Sequence, residues 1–449
     1  MGLIRNTATA MALVLVGLPV AAQADHHAVD HAAIASAVEA EYDGYLAPLF
    51  VHFHENPELS FLESETAARM AMELREAGVE VTEGVGGTGV VGILRNGEGP
   101  LILLRADMDG LPVPEKTGLE YASTATQVGQ DGVEYPVMHA CGHDVHITSM
   151  VGTARQLVAM KDHWAGTIMF VVQPAEERVG GAKAMIEDGL YDRFGKPDYA
   201  IAFHVSSALP TGVVSAATGI QYSSADSVNI TVPGIGAHGA SPHTGRDPVY
   251  IGSQIVTALQ SIVSREVMPL SPAVITVGSF HSGSKHNIIS DRADLQLTVR
   301  ANDEEVRAQL LAAIERIAVG IGKAHGLPDD MPVVVEVTEG TPVTSNDPEL
   351  AARLNAVMQR DLGADAFMPF SQQGMGAEDF AFFVTEDLGV PGYYFGVGGT
   401  PPEAFEAAEN GGPAVPSHHS PLFKIAPRES VTLGTRAMIA AVLDLAPAN

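Results

Sequence analysis

The segment from Met138 to His146 combines residue types that can bind a metal or attack a carbonyl carbon. It reads MHACGHDVH and contains Cys141, the only cysteine in the 449-residue chain. A thiolate and the imidazole of His143, two positions apart, suit Zn²⁺ or another first-row divalent ion. Because one cysteine cannot form an internal disulfide, this thiol must be buried, reactive or metal-bound in an oxidising compartment. Cys141 and His143 are therefore candidate metal ligands.

Carboxylates and a further imidazole follow three predicted strands. Asp107 and Asp109 come after LILLR, Glu176 and Glu177 come after TIMFVVQPA, and His204 comes after DYAIAF. In open α/β sheets, binding sites form outside the carboxyl ends of the strands. We therefore expect these side chains to lie at one edge of the same sheet.

Two local features indicate what the candidate residues do: a predicted helix start beside Cys141 and the adjacent pair Glu176 and Glu177. A helix predicted from Asp144 begins just after Cys141, and its free N–H groups and dipole should lower the pKa of the thiol. Of two neighbouring glutamates, one can bind metal while the other takes a proton from water. The alternative is a solvated pair at a helix start, which the dipole alone would explain. Since the pair follows an apolar strand, we favour catalysis for Glu176 and Glu177.

Further candidates occur outside this set. His418 and His419 lie in the loop VPSHHSPLF, where spacing alone does not distinguish ligands from surface histidines. His238 lies in the glycine-rich segment GIGAHGASPH, Asn287 in KHNIIS and Arg300 in LTVRAN. Taken singly, the asparagine and the arginine favour a structural interpretation.

The alternation of strand-like and helical segments predicts how the candidates are positioned. Strands such as GVVGILRN alternate with helices such as ESETAARMAMELREAG, which favours an α/β fold with a doubly wound, mixed but mostly parallel sheet. From Ser224 the order becomes β-α-β-β-α-β, the ferredoxin-like unit. We therefore predict an inserted domain over residues 222–340, between the two parts of a catalytic domain, residues 25–221 and 341–449.

The N-terminus and the charge limit location and partners. Residues 1–24 contain Arg5, an apolar run and the small-residue end Ala22-Gln23-Ala24, which predicts a secretory signal peptide and a periplasmic or secreted protein. The run is too short to span a membrane, so we expect no membrane anchor. With 25 Lys+Arg against 54 Asp+Glu, the formal charge of −29 argues against nucleic acid as a partner.

Nine motifs, taken together, resemble a known family. The chain is similar to the aminoacylase/carboxypeptidase-type dinuclear metallopeptidases, in the branch of hippurate hydrolases and auxin-conjugate amidohydrolases. The motifs cover nearly the whole chain in order, which makes the resemblance specific, whereas any one alone would be weak. They are HENPELSFLE, LLRADMDGLP, MHACGHDVH, QPAEERVGGAK, HVSSALPTG, GIGAHGASPH, NIISD, MGAEDFAFF and HHSPLF.

The resemblance implies a catalytic domain with two divalent metal ions, Zn²⁺ or Mn²⁺, with Co²⁺ or Ni²⁺ as further choices. It also implies that the inserted domain forms a homodimer. Glu176 corresponds to the general base, and Asp109 to an aspartate that orients a ligand. The implied metal ligands are Cys141, His143, Glu177, His204 and His419.

The inserted domain supplies further residues in the resembled family. His238 corresponds to a histidine that enters the neighbouring subunit's active site and contacts the scissile carbonyl or the substrate carboxylate. Asn287 and Arg300 correspond to positions near that end of the substrate. Arg178 departs from the pattern, which often has glycine after the glutamates. This departure leaves substrate preference open.

The expected reaction is metal-dependent hydrolysis of an N-acyl-amino acid that is hippurate-, acetyl- or auxin-conjugate-like. It would release a carboxylic acid and a free amino acid. The alternatives are a metallo-dipeptidase or carboxypeptidase acting on short peptides, a cysteine hydrolase with Cys141 as nucleophile, and a catalytically silent binding protein. The presence of Glu176 and all five ligand positions favours an enzyme.

Overall fold

The computed structural model describes residues 30–448, so the predicted signal peptide lies outside the described residues. Up to Tyr222, the helices are α1 (His31–Glu41), α2 (Ala47–Glu55), α3 (Ser64–Glu76), α4 (His143–Ala159), α5 (Gly181–Glu187) and α6 (Leu190–Phe194). The strands of this part are β1 (Glu80–Val85), β2 (Gly89–Asn96), β3 (Leu101–Asp107), β4 (Thr126–Val128), β5 (Glu134–Pro136), β6 (Gly166–Gln173), β7 (Tyr199–Pro210), β8 (Val214–Ala216) and β9 (Ile220–Tyr222).

The remaining elements fall into two groups. The first comprises β10 (Ser224–Pro233), β11 (Ala237–His238), α7 (Pro248–Ser261), β12 (Ala273–Ser282), β13 (Ile288–Ile289), β14 (Arg292–Ala301), α8 (Glu304–Ala324) and β15 (Val334–Thr341). The second comprises β16 (Thr344–Ser345), α9 (Pro348–Leu362), β17 (Phe367–Pro369), β18 (Gly392–Thr400), α10 (Pro402–Glu409) and α11 (Pro427–Leu445). Within residues 30–448, no helix is both long and apolar enough to cross a membrane.

Eight strands form one large sheet in the order β1-β2-β6-β3-β7-β18-β8-β17. The central neighbours β6, β3, β7 and β18 run parallel, and β8 and β17 are also parallel. The pairs β1–β2, β2–β6 and β18–β8 are antiparallel. The predicted fold class, an α/β fold with a mixed and mostly parallel sheet, is confirmed.

Burial explains why the central strands are apolar. Strands β3 and β6 are buried along nearly their whole length, as expected for parallel strands covered on both faces. Helix α4 was predicted with one apolar face, yet it is buried on nearly every side from His143 to Leu157. The reason is that α4 packs against strands β3 and β7 and also against helices α2 and α11.

The small sheet has the order β12-β14-β10-β15, and all its pairings are antiparallel. Helices α7 and α8 pack against it, which gives the predicted β-α-β-β-α-β order, with the short antiparallel strand pair β11–β13 added. The first and last strands are neighbours, because Ala225 pairs with Thr341. The domain limits at residues 222 and 340 stay a prediction.

The large sheet carries its candidate residues to one edge. Arg105 of β3 pairs with Ala202 of β7, so Asp107 and His204 lie at the same level of the sheet. His204 was expected just after its strand, but β7 continues to Pro210 because its second half pairs with β18. His204 therefore projects from within a strand.

Candidate metal centre

All five predicted ligands and Glu176 meet at this edge of the large sheet. Cys141 Sγ lies 3.4 Å from His204 Nε2, and His419 Nε2 lies 3.3 Å from Glu177 Oε2. Three overlapping groups have ligand atoms within 4.8 Å of one another: Cys141 with His143 and His204, Cys141 with Glu177 and His419, and His143 with Glu176 and Glu177. We call these six residues the donor cluster.

The Cys-Gly-His spacing has a steric cause. Gly142 has a φ of 88°, in the left-handed region that favours glycine. A Cβ atom at this position would lie 2.3 Å from the Val205 Cγ1 atom. Glycine therefore allows the chain to turn tightly against β7, with Cys141 before the turn and His143 at the first position of α4.

Backbone contacts determine which nitrogen two of the histidines present. His143 Nδ1 lies 2.8 Å from the backbone oxygen of Asp109, and His204 Nδ1 lies 2.6 Å from that of Val205. Because a carbonyl oxygen only accepts, both Nδ1 atoms carry the proton and donate. Each Nε2 then keeps a lone pair for a metal, the arrangement common in metal-binding histidines.

The donor cluster fits divalent metal ions. His143 Nε2 and Glu177 Oε1 are buried and have no hydrogen-bond partner among the described residues. Buried polar atoms are normally paired, so these two atoms indicate a missing electropositive partner. The mixture of sulfur, nitrogen and oxygen donors is one that Zn²⁺ accepts, and its carboxylates also suit Mn²⁺.

Asp109 holds the backbone that carries the two glutamates. Its Oδ1 accepts a hydrogen bond from the backbone N of Glu176 at 3.1 Å, and its Oδ2 accepts one from that of Glu177 at 3.0 Å. The Ser60 hydroxyl donates to Oδ2 at 2.7 Å. Asp109 thus fixes the backbone of both glutamates, and its role as an orienter of a metal ligand stays a prediction.

The turn that carries the glutamates is tight. Ala175 and Val179, on either side of it, have φ values of 49° and 51°, which cost free energy for residues with a Cβ atom. Gly181 follows closely, and a Cβ atom there would lie 1.6 Å from the Pro174 carbonyl oxygen. Strain of this kind persists only where the surrounding structure enforces it.

The two glutamates differ from ordinary surface carboxylates in their acidity. Burial, together with the negative charges of Glu378 and Glu177, raises the pKa of Glu176 well above its usual range. Burial also raises the pKa of Glu177, to about 7, against the lowering effect of His143. A carboxylate of raised pKa binds a proton more readily, which suits a general base.

The prediction of a lowered Cys141 pKa is wrong when only the protein's own groups act on the thiol. Burial and the negative charges of Glu177 and Glu176 raise the pKa of this thiol well above its usual range. Desolvation and two nearby carboxylates thus outweigh the dipole of α4. A protonated thiol is a poor nucleophile, so these protein groups alone do not favour the cysteine-hydrolase alternative.

Sequence reasoning missed a buried network beneath the donor cluster. The Arg105 guanidinium donates to Gln173 Oε1, Asp107 Oδ2 and Glu378 Oε1 at 2.7, 2.6 and 2.7 Å. Gln173 Nε2 in turn donates to Asp379 Oδ1 at 2.6 Å. An arginine inside the apolar strand LILLR and the acidic pair in MGAEDFAFF were the available signals.

His146 belongs to this network and not to the set of ligands. Its Nδ1 lies 2.5 Å from Asp107 Oδ1, and its Nε2 accepts a hydrogen bond from the backbone N of Val205 at 2.9 Å. Both ring nitrogens are therefore occupied. His146 fixes the backbone beside His204 and so helps to orient that residue.

The adjacent histidines of the C-terminal loop have different surroundings. His418 is partly buried, its Nδ1 lies 3.6 Å from Cys141 Sγ, and its Nε2 accepts from the backbone N of Ser207. His419 is half-exposed and contacts Glu177. Its φ of 65° and its hydrogen bond to the Ala140 carbonyl oxygen hold it at the donor cluster.

Among the described residues, His238, Asn287 and Arg300 share no hydrogen bond with the donor cluster. His238 is exposed, and its Nδ1 accepts from the backbone N of Ala240. Asn287 directly precedes β13, its backbone oxygen accepts a hydrogen bond from the backbone N of Gly239, and its buried Oδ1 has no partner among the described residues. Arg300 donates to Thr298 and lies at the opposite end of β14 from the β11–β13 strand pair. Within one chain, these residues do not meet.

Comparisons with known proteins agree with the motifs. The profile of peptidase family M20/M25/M40 matches residues 103–410. The chain is 40% identical over 332 residues to hippurate hydrolase of Campylobacter jejuni, covering 74% of this chain and 82% of that protein. It is 38% identical over 362 residues to thermostable carboxypeptidase 2 of Saccharolobus solfataricus, covering 80% and 86%.

A plant relative and a solved structure extend the comparison. The chain is 33% identical over 372 residues to IAA-amino acid hydrolase ILR1-like 2 of Arabidopsis thaliana, covering 83% of this chain and 79% of that protein. A dinuclear metal-binding peptidase of the M20 family from Bacillus subtilis matches with a TM-score of 0.72 at 26% identity, covering 91% of this chain and 98% of that one. The resemblance inferred from the motifs is confirmed.

Proposed function

The chain belongs to peptidase family M20/M25/M40, and from this premise we propose that it hydrolyses N-acyl-amino acids to a carboxylic acid and a free amino acid. It is a metal-binding hydrolase of the amidohydrolase and metallopeptidase type. The proposed substrates are hippurate-, acetyl- or auxin-conjugate-like. The observation that carries the proposal is the donor cluster, which combines unpaired ligand atoms with the buried carboxylate of Glu176.

We propose two divalent ions at the donor cluster, Zn²⁺ or Mn²⁺ in preference to Co²⁺ or Ni²⁺. Such ions, when bound, polarise a carbonyl group and lower the pKa of water. The residues that would hold them are Cys141, His143, Glu177, His204 and His419.

Glu176 would perform the proton transfer. Its carboxylate takes a proton from the attacking water and passes it to the nitrogen of the leaving amino acid. Its side chain is buried beside the proposed ligands His143 and Glu177. The hydrogen bond from the Glu176 backbone N to Asp109 keeps the carboxylate on the side of the donor cluster.

We propose that His238 acts in the site of a second copy of the chain. It is exposed, and its hydrogen bonds do not reach the donor cluster of its own chain. An imidazole delivered to a neighbouring site could donate to the oxyanion that forms from the scissile carbonyl. This arrangement requires a homodimer.

The proposed function is tested with purified protein stripped of metal and then given Zn²⁺, Mn²⁺, Co²⁺ or Ni²⁺. The substrates are acetyl-, benzoyl- and indoleacetyl-amino acids, with unblocked dipeptides for comparison. Metal-dependent release of free amino acid from the acylated compounds is the expected result. Metal binding without turnover of any compound would instead support the silent binding protein.

Peptide hydrolysis is the second candidate, because the chain resembles thermostable carboxypeptidase 2 at 38% identity. The two activities differ in what lies on the acyl side of the scissile bond. Faster turnover of dipeptides with a free amino group than of matched N-acetyl compounds would favour the peptidase.

We also propose that the protein is exported to the periplasm or secreted, on the basis of residues 1–24. Cell fractionation followed by N-terminal sequencing tests this proposal. Export predicts a mature chain that begins at Asp25 in the periplasmic or extracellular fraction, whereas a cytoplasmic chain that retains residues 1–24 would contradict it.

A further inference from the structure

A pocket of about 630 Å³ opens beside Glu177 of the donor cluster. One wall is apolar and the other belongs to the β4–β5 hairpin, the two-stranded segment from Thr126 to Pro136. The pocket therefore extends from a proposed metal ligand to a polar rim. The residues that the argument uses are Leu59, Leu62, Leu111, Gln130, Asp131 and Arg178.

Arg178 brings a positive charge to this pocket. It directly follows Glu177 in the strained turn, so its backbone position is tied to that of a proposed ligand. Its Nη1 donates to Gln130 Oε1 at 3.0 Å, a neutral acceptor. Arg178 pairs with no carboxylate within the described residues, although the chain has a formal charge of −29.

The carboxylate of Asp131, which also lines the pocket, is engaged elsewhere. Its Oδ2 accepts from the Tyr135 hydroxyl at 2.6 Å, and its Oδ1 accepts from the backbone N of Val133 at 3.0 Å. These bonds hold the carboxylate within its own hairpin. The guanidinium of Arg178 thus keeps most of its five N–H donors for a ligand.

We propose that this pocket binds a carboxylate of the substrate through Arg178, with Gln130 holding the guanidinium in place. The leucines would contact the methylene groups between that carboxylate and the scissile amide. The substrate class is then an N-acyl-amino acid with an acidic group on one side of the amide, either a dicarboxylic acyl group or an acidic amino-acid side chain. The inference rests on the proposed function and specifies its substrate.

Two matched pairs of compounds test the inference with the full-length mature protein. N-succinyl-alanine is compared with its terminal amide, and N-acetyl-glutamate with N-acetyl-glutamine. We expect the acidic member of one pair to have the higher kcat/KM, mainly through a lower KM. The Arg178→Gln variant should show a kcat/KM ratio of acidic to neutral compound that is about tenfold lower. This is the size expected for a charged hydrogen bond at a partly exposed site. The pair that responds identifies the side of the amide that enters the pocket.

Further variants distinguish a local contact from a general charge effect. Arg178→Lys should keep part of the preference, and Arg178→Glu should reverse it. Arg265→Gln is the matched control, because Arg265 is also exposed and lies in the small sheet's part of the chain. An equal loss of preference in Arg265→Gln would overturn the inference. The inference would also be overturned if both pairs are hydrolysed and Arg178→Gln leaves the kcat/KM ratio within each pair unchanged. The proposed function would stand in that case. If none of the four compounds is hydrolysed and the panel of acylated amino acids is also inactive, both the inference and the proposed function are overturned.

Discussion

At the level of single residues, the neighbours Glu176 and Glu177 have different expected roles, the first as general base and the second as metal ligand. Glu176→Gln removes a proton acceptor and keeps the shape of the side chain. We expect kcat to fall by about 10²- to 10⁴-fold, the usual contribution of a general base, while metal content stays the same. Metal analysis and steady-state kinetics on the same preparation measure both.

Glu177→Gln is the matched comparison for this prediction. Its Oε1 is one of the unpaired buried atoms of the donor cluster, so this change should lower metal content as well as kcat. Full activity in Glu176→Gln would contradict the assigned base. Unchanged metal content in Glu177→Gln would contradict the assigned ligand.

His54 provides a pH-dependent prediction. Burial alone would lower its pKa, but hydrogen bonds to Asp144 at 2.7 Å and Glu115 at 3.2 Å raise it to about 10. A pKa above the unfolded value of 6.5 means that the charged form stabilises the folded state. This contribution is fully present below about pH 6.5 and is lost as the pH rises through 10.

We therefore expect His54→Gln to lower the free energy of unfolding by about 3 kcal/mol at pH 6, because it leaves two buried carboxylates without a cation. The difference from the native protein should shrink towards pH 10. Urea denaturation at pH 6, 8 and 10 measures it, with the exposed His286→Gln as control. A difference that does not vary with pH would contradict the assigned charge.

At the scale of elements, two glycines predict opposite effects of the same substitution. Gly181 begins α5 against the Pro174 carbonyl, so Gly181→Ala must displace the turn that carries the glutamates. We expect a loss of about 2 to 3 kcal/mol in unfolding free energy, together with reduced kcat. Gly320→Ala, in open space on α8, should instead add up to about 1 kcal/mol. Thermal unfolding of both variants tests this contrast, and a neutral Gly181→Ala would contradict it.

Sequence patterns predict elements where period and composition are strong. GVVGILRN and LILLRAD are found as β2 and β3, and the residues placed at strand ends do meet at one edge. Strands of two or three residues, such as β8 and β17, are too short for any periodicity to mark them. The contact of Arg105 with Glu378 joins positions 273 apart, which local patterns do not encode. The Cys141 pKa depends on such tertiary neighbours, which is why the sequence indicated the wrong direction.

At the scale of the whole molecule, the proposed sharing of sites between subunits makes a prediction about mixed dimers. His238→Ala and Glu176→Gln should each be nearly inactive alone. Co-expressed, they should form mixed dimers in which one of the two sites has both residues intact, so these dimers should have about half of native activity. Activity of tagged, purified mixed dimers measures this. No recovery, with both variants dimeric, would contradict a shared site.

The pairing of Ala225 with Thr341 has a consequence for how such a molecule can arise and be rebuilt. The two strands that connect the small sheet to the rest of the chain leave side by side, so a short hairpin turn could join them directly. The large sheet would keep every one of its strand pairings after such an excision. We therefore expect that the small sheet can be removed or replaced by another domain between these two residues, while the large sheet still holds the donor cluster.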